Sequence, residues 1–226
     1  MILLVIPARG GSRRVPHKNI VPLRGKPLLL YTVEAALLAN VTPHIVVSTD
    51  DQAIASIARG AGAGVIERPS ELATDNASTE SVLFHALDIL APEGITPDWI
   101  MTLPPTSPFR RPETIRRFAD EVLAGPEIQD CLMSVTENRG DFWVEETNGL
   151  LSRLFSNAPR RQQDRAPLYE ENSAIYMSRT NVLRETGSIL GKRVRGLVIS
   201  PLEGFDINTL DDLRLAECIA AITNRS

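Results

Sequence analysis

The chain opens Ile2-Leu3-Leu4-Val5-Ile6-Pro7-Ala8-Arg9-Gly10-Gly11-Ser12-Arg13-Arg14-Val15-Pro16-His17-Lys18-Asn19. Five apolar residues in a row, with no polar alternation, predict a strand covered on both faces, as in a parallel sheet flanked by helices. The strand then meets Pro7 and gives way to a loop that carries Arg9, Arg13, Arg14 and Lys18 around Gly10 and Gly11. In open α/β sheets ligands sit beyond the carboxyl ends of the strands, which is where this loop falls. Glycines permit positive φ and close approach, so consecutive N–H groups can turn toward an anion. Arginine forks suit phosphate oxygens in pairs, and lysine adds a point charge. The loop is therefore expected to hold a polyphosphate, with a solvated basic turn as the plainer alternative. It matches neither the G-x-x-x-x-G-K-[ST] loop nor the dinucleotide G-x-G-x-x-G.

Further strand candidates are His44–Ser48, Trp99–Leu103, Leu132–Val135, Ala174–Met177 and Leu197–Ile199. Between them lie helical patterns at Pro27–Ala39, Asp51–Gly60, Thr79–Leu90, Pro112–Ala124 and Thr209–Ile222. In the last, Thr209 and Asp212 form a capping pair, and Leu210, Leu213, Ala216 and Ala220 recur on one face. Strand and helix in alternation predict an α/β protein: a three-layer, doubly wound, Rossmann-like fold on a mostly parallel mixed sheet. The whole chain, 1–226, reads as one domain. Residues 137–171 break the rhythm with Asn138, Gly140, Asn148, Gly149, Pro159 and Pro167 beside the aromatics Phe142, Trp143 and Phe155. A structureless loop of that length is unusual in a compact domain. A projecting arm that packs on another subunit is the expectation, and a lid over its own subunit is the alternative.

The 226 residues carry a net charge of −4 and 43% hydrophobic side chains, so a globular core is expected, with no nucleic acid or membrane partner. The two cysteines, Cys131 and Cys218, lack metal spacing and read as buried small hydrophobes. The opening strand has no basic n-region and is too short for a signal peptide, and no later segment is apolar enough to span a bilayer. A soluble, cytoplasmic protein is the expectation.

The run Ile6 to Asn19 resembles the signature opening of the acylneuraminate cytidylyltransferases, I-P-A-R-G-G-S-K-x-[IL]-P-x-K-N. The related Kdo cytidylyltransferases lack the G-G-S and the K-N. The resemblance implies a nucleotidyltransferase fold with a dimerisation arm, and CTP contacts from Arg9, Gly10, Gly11, Ser12, Lys18 and Asn19. Lys18 would lie nearest the reacting α-phosphate. Glu67 to Asp75 resembles the R-P-x-x-L-A-x-D segment, which implies Arg68 with Thr79 or Ser78 near the nucleotide. Val47 to Asp51 is equally a family turn or a helix N-cap.

Leu103 to Arg110 resembles L-Q-P-T-S-P-[LF]-R and implies sugar contacts from Thr106 and Ser107. Pro104 stands where a glutamine usually touches the sugar, and proline cannot make that contact. Arg160 to Tyr176 resembles R-R-Q-x-x-P-x-x-Y-x-x-N-G-A-I-Y, with Ser173 in place of the glycine. Arg160 or Arg161 would meet the sugar carboxylate, and Tyr176 would face the sugar or fill the core. Phe205-Asp206-Ile207-Asn208 resembles the D-x-[DN] metal element. Residues two apart in extended backbone share a face, and Mg²⁺ (or Mn²⁺) takes a few protein oxygens plus phosphate. Asp206 and Asn208 are thus the metal candidates, with Asx turns before a helix as the plain alternative.

The resemblance implies transfer of CMP from CTP to the anomeric hydroxyl of an acidic nine-carbon, sialic-acid-like sugar, with release of pyrophosphate, in a homodimer. Lys18, Arg9 and Asp206 are the catalytic candidates. Competing readings are a same-fold transferase for another sugar or nucleotide, a metal-dependent glycosyltransferase, and a non-catalytic nucleotide-binding module. His17 lies in the loop and reads as a bystander.

Overall fold

The computed structural model describes residues 1–124 and 129–223. In chain order the elements are β1 (Ile2–Pro7), a small hairpin β2 (Pro22–Leu23) and β3 (Lys26–Pro27), α1 (Leu28–Ala39), β4 (Ile45–Thr49), α2 (Gln52–Gly60), β5 (Gly64–Glu67), α3 (Thr79–Leu90), β6 (Trp99–Thr102), α4 (Pro112–Ala124), β7 (Cys131–Asn138), a second hairpin β8 (Trp143–Glu145) and β9 (Leu151–Arg153), β10 (Leu168–Arg179), α5 (Thr180–Thr186), β11 (Val194–Val198) and α6 (Leu210–Thr223). Seven strands make one sheet in the order β11-β7-β10-β6-β1-β4-β5. Only β10 runs against its neighbours, so the sheet is mostly parallel and mixed, as expected.

β1 is apolar throughout because both of its faces are covered. Ile2, Leu4 and Ile6 pack with Leu29 and Val33 of α1, Ile54 of α2 and Ile115 and Phe118 of α4. Leu3 and Val5 pack on the opposite face with Leu83 and Leu87 of α3 and Leu183 of α5. Each such side chain contributes about 1.5–3 kcal/mol on burial, so this strand anchors all three layers. The chain winds from β1 through β4 to β5 at one edge, then returns through α3 to β6 on the other side of β1. The strand order therefore reverses between β1 and β6, and a crevice opens at their carboxyl ends.

Two local expectations are corrected. Cys131 is buried, but Cys218 is exposed on the outer side of α6, and both are free. Leu210 is also exposed, whereas Ala216 and Ala220 face a small cluster with Leu23, Leu28 and Ile207. The α6 capping pair forms reciprocally: Asp212 N donates to Thr209 Oγ1 at 3.2 Å, and Thr209 N donates to Asp212 Oδ2 at 2.8 Å.

The turn after β4 is a helix N-cap. Asp51 Oδ1 accepts from Ala53 N at 2.8 Å and Ile54 N at 3.0 Å, satisfying two first-turn amides of α2. Asp51→Ala is expected to lower the unfolding free energy by about 1 kcal/mol, as read by urea denaturation; an unchanged midpoint would show the cap to be dispensable.

The segment expected to be an arm, 137–171, begins and ends in strands of the seven-stranded sheet, and only 139–167 lie outside it. Its rim is built by β7 and β10, which pair from Leu168↔Asn138 to Glu171↔Val135. Beyond them β8 and β9 form a separate hairpin. Asp141 gathers Arg153 Nε at 2.7 Å, Arg165 Nη2 at 3.2 Å and Arg160 Nη1 at 3.7 Å, which gives this short segment an ionic centre in place of an apolar one. The Arg153 hydrogen bond holds the Asp141 carboxyl below its usual range. Trp143, Leu150, Leu151, Leu154 and Phe155 stay exposed.

Candidate active site

The loops that follow β1 and β6 line a 490 Å³ cavity at the crevice, together with the start of α3 and with Asn208. Of the residues expected at a nucleotide, Arg9, Gly11, Ser12, Lys18, Asn19, Arg68, Ser78 and Thr79 all line it. Thr106 also lines it, as do Pro104 and Pro105.

The phosphate loop is shaped by its own polar contacts. Asn19 Nδ2 donates to Arg9 O at 2.8 Å, tying the two ends of the loop together. Gly10 does not line the cavity. Its N–H donates to Asp50 Oδ1 at 2.9 Å, and a Cβ there would lie 2.8 Å from Asp51 Oδ2. Glycine is needed at this position for close approach to the turn after β4, so its amide is spent on protein. Neither Gly10 nor Gly11 has positive φ; His17 does, at φ 50°.

Lys18 reaches across to the last loop, where Nζ donates to Ile207 O at 3.0 Å. Burial pushes its ammonium pKa down, and Arg14 and Arg9 add to that, while Asp206 opposes it. Arg9 Nη2 sits 2.6 Å from Asp75 Oδ1, and Arg13 Nε pairs with Asp75 Oδ2. Arg68 faces the cavity, yet its guanidinium is already engaged by Ser48 O at 2.7 Å, Ser48 Oγ at 3.2 Å and Leu72 O at 3.4 Å. It braces the end of β4 against residues 70–72. Burial also lowers its pKa, to about 10, so the guanidinium stays charged at neutral pH while its N–H groups are held by protein. Ser78 is the N-cap of α3, its Oγ accepting from Ser81 N at 3.1 Å, so the positive end of that helix faces the cavity.

A second cavity of 300 Å³ is lined by Thr136, Glu170, Glu171, Asn172, Ser173, Pro201, Gly204 and Asp206. Asp206 therefore faces one cavity and Asn208 the other, joined by a hydrogen bond from Asn208 Nδ2 to Asp206 Oδ2 at 2.6 Å. Gly204 is required here because a Cβ would come 2.6 Å from Asn172 Nδ2. Tyr176 is buried, and its hydroxyl meets Glu171 Oε1 and Ser173 Oγ, two residues of this cavity. Burial and the Glu171 contact push its phenol well up. Ser173, standing where the resembled motif has glycine, adopts φ 58°, the left-handed conformation that glycine favours.

Three sugar candidates lie apart from both cavities. Ser107 is buried with its Oγ unpaired. Arg160 and Arg161 are exposed in the segment between β9 and β10. The metal candidates pass a test of fit in one respect: Asp206 Oδ1 is buried without a hydrogen-bond partner, a costly state that a cation would relieve. No group of three or more His, Cys, Asp or Glu gathers among the described residues, so a hydrated cation that also takes phosphate oxygens fits better than an all-protein cage. None of the three histidines lines either cavity.

Sequence reasoning missed two contributors. Asp75 lay inside a recognised segment, but nothing local marked it as the partner of two arginines far away in the chain. Arg110 is fully buried, with Nη2 donating to Pro104 O at 2.8 Å, and Asp206 and Glu203 are its nearest opposing charges. Its apolar neighbours in the motif gave no sign of that burial.

The sequence pattern of the cytidylyltransferase family matches residues 3–186. The CMP-N,N'-diacetyllegionaminic acid synthase of Legionella pneumophila is 34% identical over 223 residues, covering 96% of this chain and 94% of that one. The pseudaminic acid cytidylyltransferase of Campylobacter jejuni is 28% identical over 229 residues, covering 99% and 98%. Among solved structures, a CMP:2-keto-3-deoxy-manno-octonic acid synthetase complexed with CTP superposes with a TM-score of 0.70 at 18% identity, covering 98% of this chain and 99% of that one, a likeness of fold. With the crevice, its cationic loop and these relatives in agreement, the chain belongs to the cytidylyltransferase family of nucleotidyltransferases.

Proposed function

We propose that this enzyme transfers CMP from CTP to the anomeric hydroxyl of a nonulosonic acid, an acidic nine-carbon sugar. The hydroxyl oxygen attacks the α-phosphorus, the bond to the bridging oxygen of the β-phosphate breaks, and pyrophosphate leaves. The observation that carries the reading is the juxtaposition of Arg9, Arg13, Arg14 and Lys18 around the larger cavity with Asp206 at the wall of the smaller one. Relatives named for legionaminic and pseudaminic acids support the sugar class.

Such a transfer depends on alignment and charge neutralisation. Arg9 and Lys18 are suited to hold the phosphates and to balance charge that builds on the leaving pyrophosphate. The N-terminus of α3, with Ser78 and Thr79, offers small polar groups to the nucleotide. The smaller cavity, rich in Glu171, Asn172 and Ser173, offers hydrogen-bond acceptors and donors to a hydroxylated or acylamido sugar. Asp206, with Asn208 beside it, would hold Mg²⁺ (or Mn²⁺). Such an ion, when bound, neutralises phosphate charge and lowers the pKa of a coordinated hydroxyl.

Among the described residues of one chain, no arginine lines the smaller cavity to meet the sugar carboxylate. The exposed arm, with Arg160 and Arg161 on it and an uncovered apolar face, fits a homodimer in which the arm of one subunit serves the other. The test is pyrophosphate release from CTP and Mg²⁺ with N-acetylneuraminic, legionaminic, pseudaminic and Kdo acids. Release that requires one nine-carbon sugar and fails with ATP, GTP and UTP is expected. Turnover with another triphosphate, or with none of the acids, would overturn the assignment, and Pro104 is then the first position to restore to glutamine.

A further inference from the structure

Asp75 stands in the larger cavity as an anion on the arginines that a triphosphate would need. Its two carboxylate oxygens are divided between Arg9 Nη2, at 2.6 Å, and Arg13 Nε. Arg9 also donates to Ala73 O at 3.4 Å, so the loop before α3 is clasped to the phosphate loop at two points. The Arg9 hydrogen bond holds the Asp75 carboxyl below its usual range, which keeps it ionised at neutral pH. A carboxylate and a phosphate offer a guanidinium the same paired oxygens, so they compete for the same N–H groups.

Resting on the nucleotide reading above, we infer that Asp75 sets the affinity for polyphosphate by occupying Arg9 and Arg13 until a phosphate chain displaces it. The free site thereby holds its two arginines in place with half of their charge balanced. A ligand that reaches these arginines must break the two ion pairs, and a ligand that does not reach them is unaffected. Asp75 thus discriminates by ligand charge: it taxes CTP and pyrophosphate alike and ignores the uncharged nucleoside.

The experiment is calorimetric titration of the full chain and of Asp75→Asn with CTP, pyrophosphate and cytidine, with Asp75→Glu as the charge-retaining control. Asp75→Asn is expected to bind CTP and pyrophosphate about three- to tenfold tighter, the scale for losing two partly exposed ion pairs, with cytidine unchanged. Asp75→Glu is expected to stay close to the parent. Weaker CTP binding in Asp75→Asn would overturn the inference and make Asp75 a residue that aligns the arginines for phosphate. Unchanged CTP and pyrophosphate binding would overturn it as well, because no competition would then exist. An equal gain for cytidine would trace the effect to the loop and away from charge. Failure of CTP to bind any of the three proteins would overturn the nucleotide reading itself, and this inference with it.

Discussion

Lys18→Ala is expected to lower kcat/KM for CTP by about 30- to 150-fold, or about 2–3 kcal/mol of transition-state stabilisation. The ammonium is partly buried and held by Ile207 O, so it meets the phosphates from a fixed position and with little water to screen it. A fall in kcat is expected along with kcat/KM. A loss confined to KM would reduce Lys18 to uniform substrate binding. The same burial gives a second readout. Because the cation is the working form and its pKa is lowered, the alkaline limb of kcat/KM should fall below the ordinary lysine range. In the fold the charged form is disfavoured, so this residue costs stability below its folded pKa, and the cost is relieved as pH rises toward the unfolded value. Lys18→Arg keeps the charge and should move the alkaline limb upward. An identical limb in that variant would assign it to another group.

Asp206→Ala is expected to reduce Mg²⁺-dependent turnover by at least about a hundredfold while leaving the fold intact. The reason for expecting stability is specific. Oδ1 is buried without a hydrogen-bond partner, so its removal relieves a desolvation penalty, which offsets the loss of the Oδ2 contact with Asn208 and of an opposing charge for buried Arg110 and for Lys18. Thermal melting without ligand should therefore change little, whereas Mn²⁺ binding in the presence of CTP should weaken. A variant that melts normally and retains full metal-dependent turnover would remove Asp206 from the mechanism. One that unfolds would show Asp206 to be structural, and Asp206→Asn would then separate shape from charge.

Much of the architecture was legible because burial on both faces leaves a plain mark. The strands at Ile2–Pro7, Ile45–Thr49 and Trp99–Thr102 are buried along their length and read as apolar runs. β5 escaped notice because it is a short edge strand, with Gly64 and Glu67 exposed, so it lacks that mark. α5 escaped for a similar reason, since only Leu183 of its seven residues is buried. Cys218 and Leu210 were placed inside on local character, but α6 packs on the β2–β3 hairpin and the start of α1 through a narrower strip of small residues than its composition suggested.

From sequence alone came the alternation of strands and helices, the cationic loop at the end of the first strand, and the motif order that marks a cytidylyltransferase. These are properties of neighbouring residues, and hydrophobic period, capping and turn chemistry act over a few positions. Tertiary structure alone decided which charges meet. Lys18 finds Ile207 across 189 positions, and Arg9 finds Asp75 across 66. It also spent Gly10 on Asp50 and Arg68 on Ser48, and set Asp206 and Asn208 toward separate cavities. Such pairings follow from the reversal of strand order beside β1, which brings distant loops to one crevice. Electrostatic and hydrogen-bond partners are fixed by distance in space, and no local pattern records that distance.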